Sequence, residues 1–204
     1  MDNTLAMEAV EEKLSPEEEK RQIRAKVAVP LLWLGMISMI MIFGSLTSAY
    51  WVRRGKGDWL QFELPQLFYI STAVIIISSV AMNWVLASAK KNDFKSMKIA
   101  SIITLLLGIT FVVLQFKAWG VLVDQKVFFA GRESNAAGSF LYALTGLHLA
   151  HLAFGLMALL VVWIKTLRQK YDSENLLGIR LCAIFWHFLG ALWIYLFLFL
   201  LIAR

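Results

Sequence analysis

The chain has one cysteine, Cys182, among its 204 residues. A single thiol excludes an internal disulfide and any cluster of cysteine ligands. Charge is scarce in the apolar stretches, where no Asp, Glu, Lys or Arg falls near the middle of a run. Pumps and ion-coupled transporters rely on a relay of such groups, so transport is not expected as this chain's own activity. Only three histidines occur, and His148 and His151 are separated by Leu149 and Ala150. That spacing is not the i,i+4 pair with glutamate of a zincin, and no G-x-S-x-G surrounds a serine. Fixed-period repeats, low-complexity tracts and inverted halves are also missing. The first 27 residues are charged and hold no apolar core of a signal peptide, so none is expected to be cleaved.

What is present is hydrophobic length. The composition is 59% hydrophobic, above the roughly 45–50% of an ordinary soluble domain. The apolar residues gather into five runs at Ala28–Val52, Gln66–Ala89, Lys98–Val121, Ser139–Ile164 and Leu181–Ala203. About 20 apolar residues in a helix cross a hydrocarbon core of about 30 Å. The expected fold class is therefore all-α: a polytopic bundle of five transmembrane helices over residues 28–204, preceded by a charged arm, residues 1–27. In that arm Ser15 is placed as an N-cap, Pro16 as the first helical residue and Glu18 at the capping-box position. Glu17 and Arg21 form an i,i+4 pair, which predicts a short surface helix leading to Pro30.

The basic residues orient the bundle. Lys13, Lys20, Arg21, Arg24, Lys26, Lys90, Lys91, Lys95, Lys98, Lys165, Arg168, Lys170 and Arg180 fall on one side, 13 of the 20 Lys and Arg residues. Arg53, Arg54, Lys56, Lys117, Lys126, Arg132 and Arg204 fall on the other. The positive-inside rule then puts the N-terminus in the cytoplasm and the C-terminus outside. The excess of basic charge follows from topology, and no nucleic-acid partner is implied. Trp33, Trp51, Trp84, Trp119 and Trp163 lie near expected helix ends, where indole rings favour the headgroup level. Trp186 and Trp193 lie inside the fifth run and face something else.

The polar residues within the runs carry the question of function. At 1.5 Å per residue, His151 lies about 18 Å below the outer end of the fourth run and His187 roughly 9 Å from the inner end of the fifth. The two therefore come to similar depth. One reading is a haem held between His151 and His187, with Gly155 and Gly190 making room for the macrocycle, in a b-type membrane anchor that carries electrons. The other is that each histidine is a neutral polar group bonded to a neighbouring helix. Ser71, Ser78, Ser79, Gly108, Gly138, Gly146, Gly155 and Gly190 suit close helix approach and interhelical hydrogen bonds.

Two segments resemble a known family. "GSFLYALTGLHLAHLAFGLMALL" is similar to the penultimate helix of subunit III of haem-copper cytochrome c and quinol oxidases. "IFWHFLGALWIYLFLFLL" is similar to that family's last helix. "LTSAYW" closing the first run, "LP" before "STAVIIISS", and Gln115 with Trp119 add weaker agreement, in the same order from Leu31 to Arg204. The length matches the family's short five-helix form. The resemblance implies a non-catalytic integral subunit of an aerobic terminal oxidase in a bacterial inner membrane. Its partners would be the catalytic subunit I and other oxidase subunits, with haem and copper held by those partners. Its own roles would be packing against subunit I, binding phospholipid, and supporting proton uptake and O2 access. No catalytic or metal-ligating residue is expected here. Thr145, His148, His151, Trp186, His187 and Trp193 are expected as a lipid-facing or subunit-packing cluster. The chain departs from the family's pattern at Met39 and Gly190, where acidic residues are common, so proton-handling roles of those acids do not carry over.

Overall fold

In hydrocarbon every backbone N–H and C=O must be bonded within its own segment, and a helix achieves that. The computed structural model describes residues 16–56, 59–60, 62–131, 134–168 and 176–203. It contains five helices: α1 Pro16–Arg54, α2 Leu67–Lys90, α3 Phe94–Asp124, α4 Ala136–Leu167 and α5 Leu177–Ala203. No strand occurs among the described residues. Each helix holds a stretch long and apolar enough to cross a membrane, beginning at Ala25 in α1 and spanning the whole element in the other four. These spans extend the expected ones by one to four residues at most ends.

The described residues divide into two units, with the boundary between Gly35 and Met36. Helix α1 starts at Pro16 and has Pro30 inside it, so the surface helix and the first span, expected separately, form one element. Ser15 and the side chains of Glu17, Glu18 and Arg21 lie outside the described residues.

In the second unit, α2, α3, α4 and α5 close a four-helix ring. Neighbours pack as α2 on α3, α3 on α4, α4 on α5 and α5 back on α2. No Cα of α1 from Met36 onward comes within 8 Å of these helices; large side chains bridge the gap. The Phe43 ring meets the rings of His148 and His151. Tyr50 packs edge-on against Phe140 and Phe199, and its hydroxyl donates to the Ala203 carbonyl at 3.1 Å. That bond satisfies one of the carbonyls a helix leaves unpaired at its C-terminus.

Two connections are set by backbone chemistry. At the end of α2 the Asn92 N–H bonds the Ala89 carbonyl and the Asp93 N–H the Ser88 carbonyl, the pattern of a Schellman cap. Asn92 takes the left-handed conformation that cap requires, φ 55°, which a short amide side chain tolerates. Asp93 then caps α3. Its carboxylate accepts from the Ser96 hydroxyl at 2.6 Å and from the Ser96 N–H at 3.2 Å. The same geometry recurs after α3, where Lys126 has φ 61° and the Val127 N–H reaches the Leu122 carbonyl.

The Asp93 cap carries a pH dependence. Hydrogen bonding to Ser96 holds the carboxyl below its ordinary value of 3.8. A lowered folded-state value stabilises above the unfolded value and is lost as pH falls through the folded one. Asp93→Ala is therefore expected to lower thermal stability at neutral pH. The difference from the unsubstituted protein should close as pH drops below 3.8. A difference that persists at strongly acid pH in paired melting curves would contradict the assignment.

Candidate functional site

A helix that is apolar on every side does not reveal which face turns inward. The hydrogen bonds between helices show it directly. Three tryptophans donate their indole N–H across to hydroxyls. Trp119 on α3 reaches Thr145 on α4 at 3.1 Å, Trp186 on α5 reaches Ser78 on α2 at 3.1 Å, and Trp193 on α5 reaches Thr72 on α2 at 3.0 Å. Each accepting hydroxyl spends its own proton on a backbone carbonyl. Thr145 bonds Leu141 and Thr72 bonds Phe68, each one turn back, and Ser78 reaches the Thr104 carbonyl on α3 at 3.4 Å. Gln115 on α3 adds another such bond by donating to Ser71 at 2.9 Å. Interhelical bonds of this kind average about 0.6 kcal/mol in membrane proteins, with about 1.7 as an upper value.

Trp186 sits at the centre. A Cβ placed on Gly108 of α3 would lie 2.7 Å from its Cη2, and one on Gly155 of α4 would lie 3.5 Å from its Cε3. The indole thus fills the space that two glycines leave open and bonds a third helix. Gly190 brings α5 close to α2, with Ser79 Oγ 3.3 Å from where its Cβ would be.

The histidines have three different environments. His148 is fully buried in a box of rings: Trp193 at 5.3 Å, Phe111 at 6.1 Å and Phe43 at 6.5 Å between centroids. Neither of its ring nitrogens has a hydrogen-bond partner among the described residues. His151 is half-buried, bonds the Leu147 carbonyl of its own helix at 2.8 Å and faces Phe43 of α1. His187 bonds Asn83 of α2 at 3.0 Å on an exposed face.

His151 and His187 therefore turn to different neighbours, α1 and α2, and do not face one another across a common space. The glycines that would admit a macrocycle are occupied as well: Gly155 by Leu189, Trp186 and Phe185, and Gly190 by Ser79 and Ile75. Among the described residues no three His, Cys, Asp or Glu side chains gather to hold a metal ion. The hydrogen bonds and ring contacts of this arrangement hold helices together.

A sequence profile of the family "Cytochrome c oxidase subunit III" matches residues 31–203. The chain belongs to that family. It is 27% identical over 198 residues to "Cytochrome c oxidase subunit 3" of Bacillus sp. (strain PS3), covering 92% of this chain and 94% of that protein. It is 30% identical over 177 residues to "Probable cytochrome c oxidase subunit 3" of Nocardia farcinica (strain IFM 10152), covering 82% of each. It is 31% identical over 148 residues to "Cytochrome c oxidase subunit 3" of Myxine glutinosa, covering 72% of this chain and 53% of that one. Five helices agree with the short form of the subunit III family, and the chain is a multi-pass membrane protein of that family.

Of the six residues expected as one cluster in this subunit III chain, His148 and Trp193 touch. Thr145, Trp186, His187 and His151 have the separate partners described above. Trp119, placed at the headgroup level by its position in the sequence, is five residues inside α3 and bonds Thr145. Asn83, Thr72 and Phe111 carry contacts that sequence reasoning did not single out. Their place as polar residues inside the apolar second run was the signal the sequence offered for Asn83 and Thr72.

His148 yields a second expectation. A buried polar group without a partner costs about 1–3 kcal/mol. His148→Leu is therefore expected to leave the melting temperature of the purified protein unchanged or raised. A drop of several degrees would show that the imidazole has a partner that stabilises it.

Proposed function

We propose that this chain is the non-catalytic subunit III of a cytochrome c oxidase in a bacterial plasma membrane. Its N-terminus lies in the cytoplasm and its C-terminus on the outer side. It packs against the catalytic subunit, binds phospholipid, and supports proton uptake and O2 access while its partners reduce O2 to water. Haem and copper belong to those partners.

The observation that carries this reading is the use of the intramembrane polar groups. Trp119, Trp186, Trp193 and Gln115 all give their N–H groups to hydroxyls of neighbouring helices. Indole and carboxamide N–H groups spent on holding neighbouring helices suit a scaffold. The names of the relatives make cytochrome c the donor to test first.

The test is isolation of the tagged chain from its native membrane in mild detergent, with one reduced-minus-oxidised spectrum and identification of the co-purifying subunits. A haem-copper spectrum with a large catalytic subunit in equal amount is the expected result. Haem in the separated chain itself would overturn the placement of the cofactors, and a colourless chain with no stable partner would overturn the assignment to a complex.

A further inference from the structure

Asn83 and His187 form a hydrogen-bonded pair on the outer surface of the bundle rather than in its interior. Asn83 is seven residues from the end of α2 at Lys90, and His187 is ten from the start of α5 at Leu177. At 1.5 Å per residue these positions are about 10 and 15 Å along their helices, below the headgroups of a bilayer. Neither side chain can reach water from that depth as a lysine or arginine would.

Outward hydroxyls in these helices close on themselves, as Ser45 does on the Ile42 carbonyl and Thr110 on the Leu106 carbonyl. The Asn83 amide and the His187 imidazole instead bond each other. With His187 Nε2–H donating to Asn83 Oδ1, the Asn83 NH2 group remains as donor and His187 Nδ1 as acceptor. With the amide turned and the other tautomer, an amide oxygen remains as acceptor and Nδ1–H as donor. Either way the pair presents one donor and one acceptor to its surroundings, and hydrocarbon supplies neither. An unpaired amide in an apolar medium is costly.

The surface around the pair is shaped for a helix. Val80, Asn83 and Ala87 on α2 and Ile184, His187 and Ala191 on α5 follow the same i, i+3, i+7 spacing. All are exposed except the half-buried His187. Two alanines, Ala87 and Ala191, flank the polar pair, and small residues allow close approach between helices in membranes.

We infer that the α2/α5 face is the docking site of a transmembrane helix from a partner subunit. That helix carries a side chain that both donates and accepts, a hydroxyl or a carboxamide, opposite the Asn83–His187 pair. The inference rests on the proposed role as an oxidase subunit and names where that role is exercised. His187→Leu should accordingly loosen assembly without changing the haem spectrum of the complexes that remain intact.

The experiment places a photoreactive benzoylphenylalanine at Val80 or at Ile184, which border the pair. The full complex is irradiated in native membranes and the adducts are identified by mass. The expected result is an adduct between this chain and another integral subunit from both positions. In an Asn83→Leu background its yield from Ile184 should fall at least about fivefold. Adducts with lipid only, or with a second copy of this chain, would overturn the docking site while oxidase co-purification left the proposed function standing. An undiminished adduct with Asn83→Leu would overturn the recognition by the polar pair. If Asn83→Leu lowers the amount of the chain itself, the adducts formed with the native pair decide the question. Loss of every oxidase subunit from the purified chain would overturn the proposed function and the docking site together.

Discussion

Trp186→Ala is expected to lower the stability of the helix bundle by about 3 kcal/mol, toward the lower end of what deleting a buried tryptophan costs. The indole is 1% exposed and touches elements that no smaller side chain could join. It lies over Gly108 of α3 and Gly155 of α4 and donates to Ser78 of α2. Alanine would leave a void between three helices, and the Ser78 hydroxyl would lose its donor. The lower end applies because lipid tails are as apolar as the bundle interior. Little transfer energy is at stake, and the loss is of packing contacts and one hydrogen bond. Trp186→Phe separates the two contributions: it keeps most of the ring and loses the N–H, so about 1 kcal/mol is expected. Thermal unfolding in mild detergent, followed by circular dichroism, measures both. A Trp186→Ala protein melting within a degree of the unsubstituted one would show that α2, α3 and α4 do not depend on this side chain.

Gly108→Ala is expected to destabilise, although glycine to alanine inside a helix ordinarily gains about 1 kcal/mol. The reason is distance. The new methyl would lie 2.7 Å from Cη2 of Trp186 and 2.8 Å from Cδ2 of Leu156. Leu156 could rotate, but the indole is held by its bond to Ser78 and by its burial. Overpacking of this kind costs about 1–3 kcal/mol. Gly120, in the same helix, has nothing within 4 Å of its Cβ position, and Gly120→Ala should stabilise by up to about 1 kcal/mol. The opposite signs make the comparison decisive, because a general effect of helix propensity would move both proteins the same way. Gly108→Ala should also cost less in a Trp186→Ala background, since the two side chains compete for one volume. Equal costs in both backgrounds would place the clash elsewhere.

Much of the architecture was legible in the chain itself. Five apolar runs of bilayer length, separated by charged connections, become five helices with ends close to those expected. The reason is one-dimensional: a helix rises by a fixed amount per residue, and the hydrocarbon has a fixed thickness. Family membership was legible too, in the order of the segments around His148 and His187. Trp186 and Trp193 stood out because they lie far from any helix end, and both turn inward to hydroxyls on α2.

What only the tertiary structure decided was the rotation of each helix about its axis. In a soluble protein the polar face marks the outside; in these helices both faces are apolar, so periodicity carries little information about which way a residue points. His148 and His151 are one helical turn apart in sequence. Yet one is sealed among Phe43, Phe111 and Trp193, while the other is half-exposed and bonds its own backbone. Counting residues along the runs placed His151 and His187 at similar depth, but they face α1 and α2 respectively. Depth follows from counting residues along a helix. Partnership follows from the angle at which two helices meet, and side chains on both helices set that angle together.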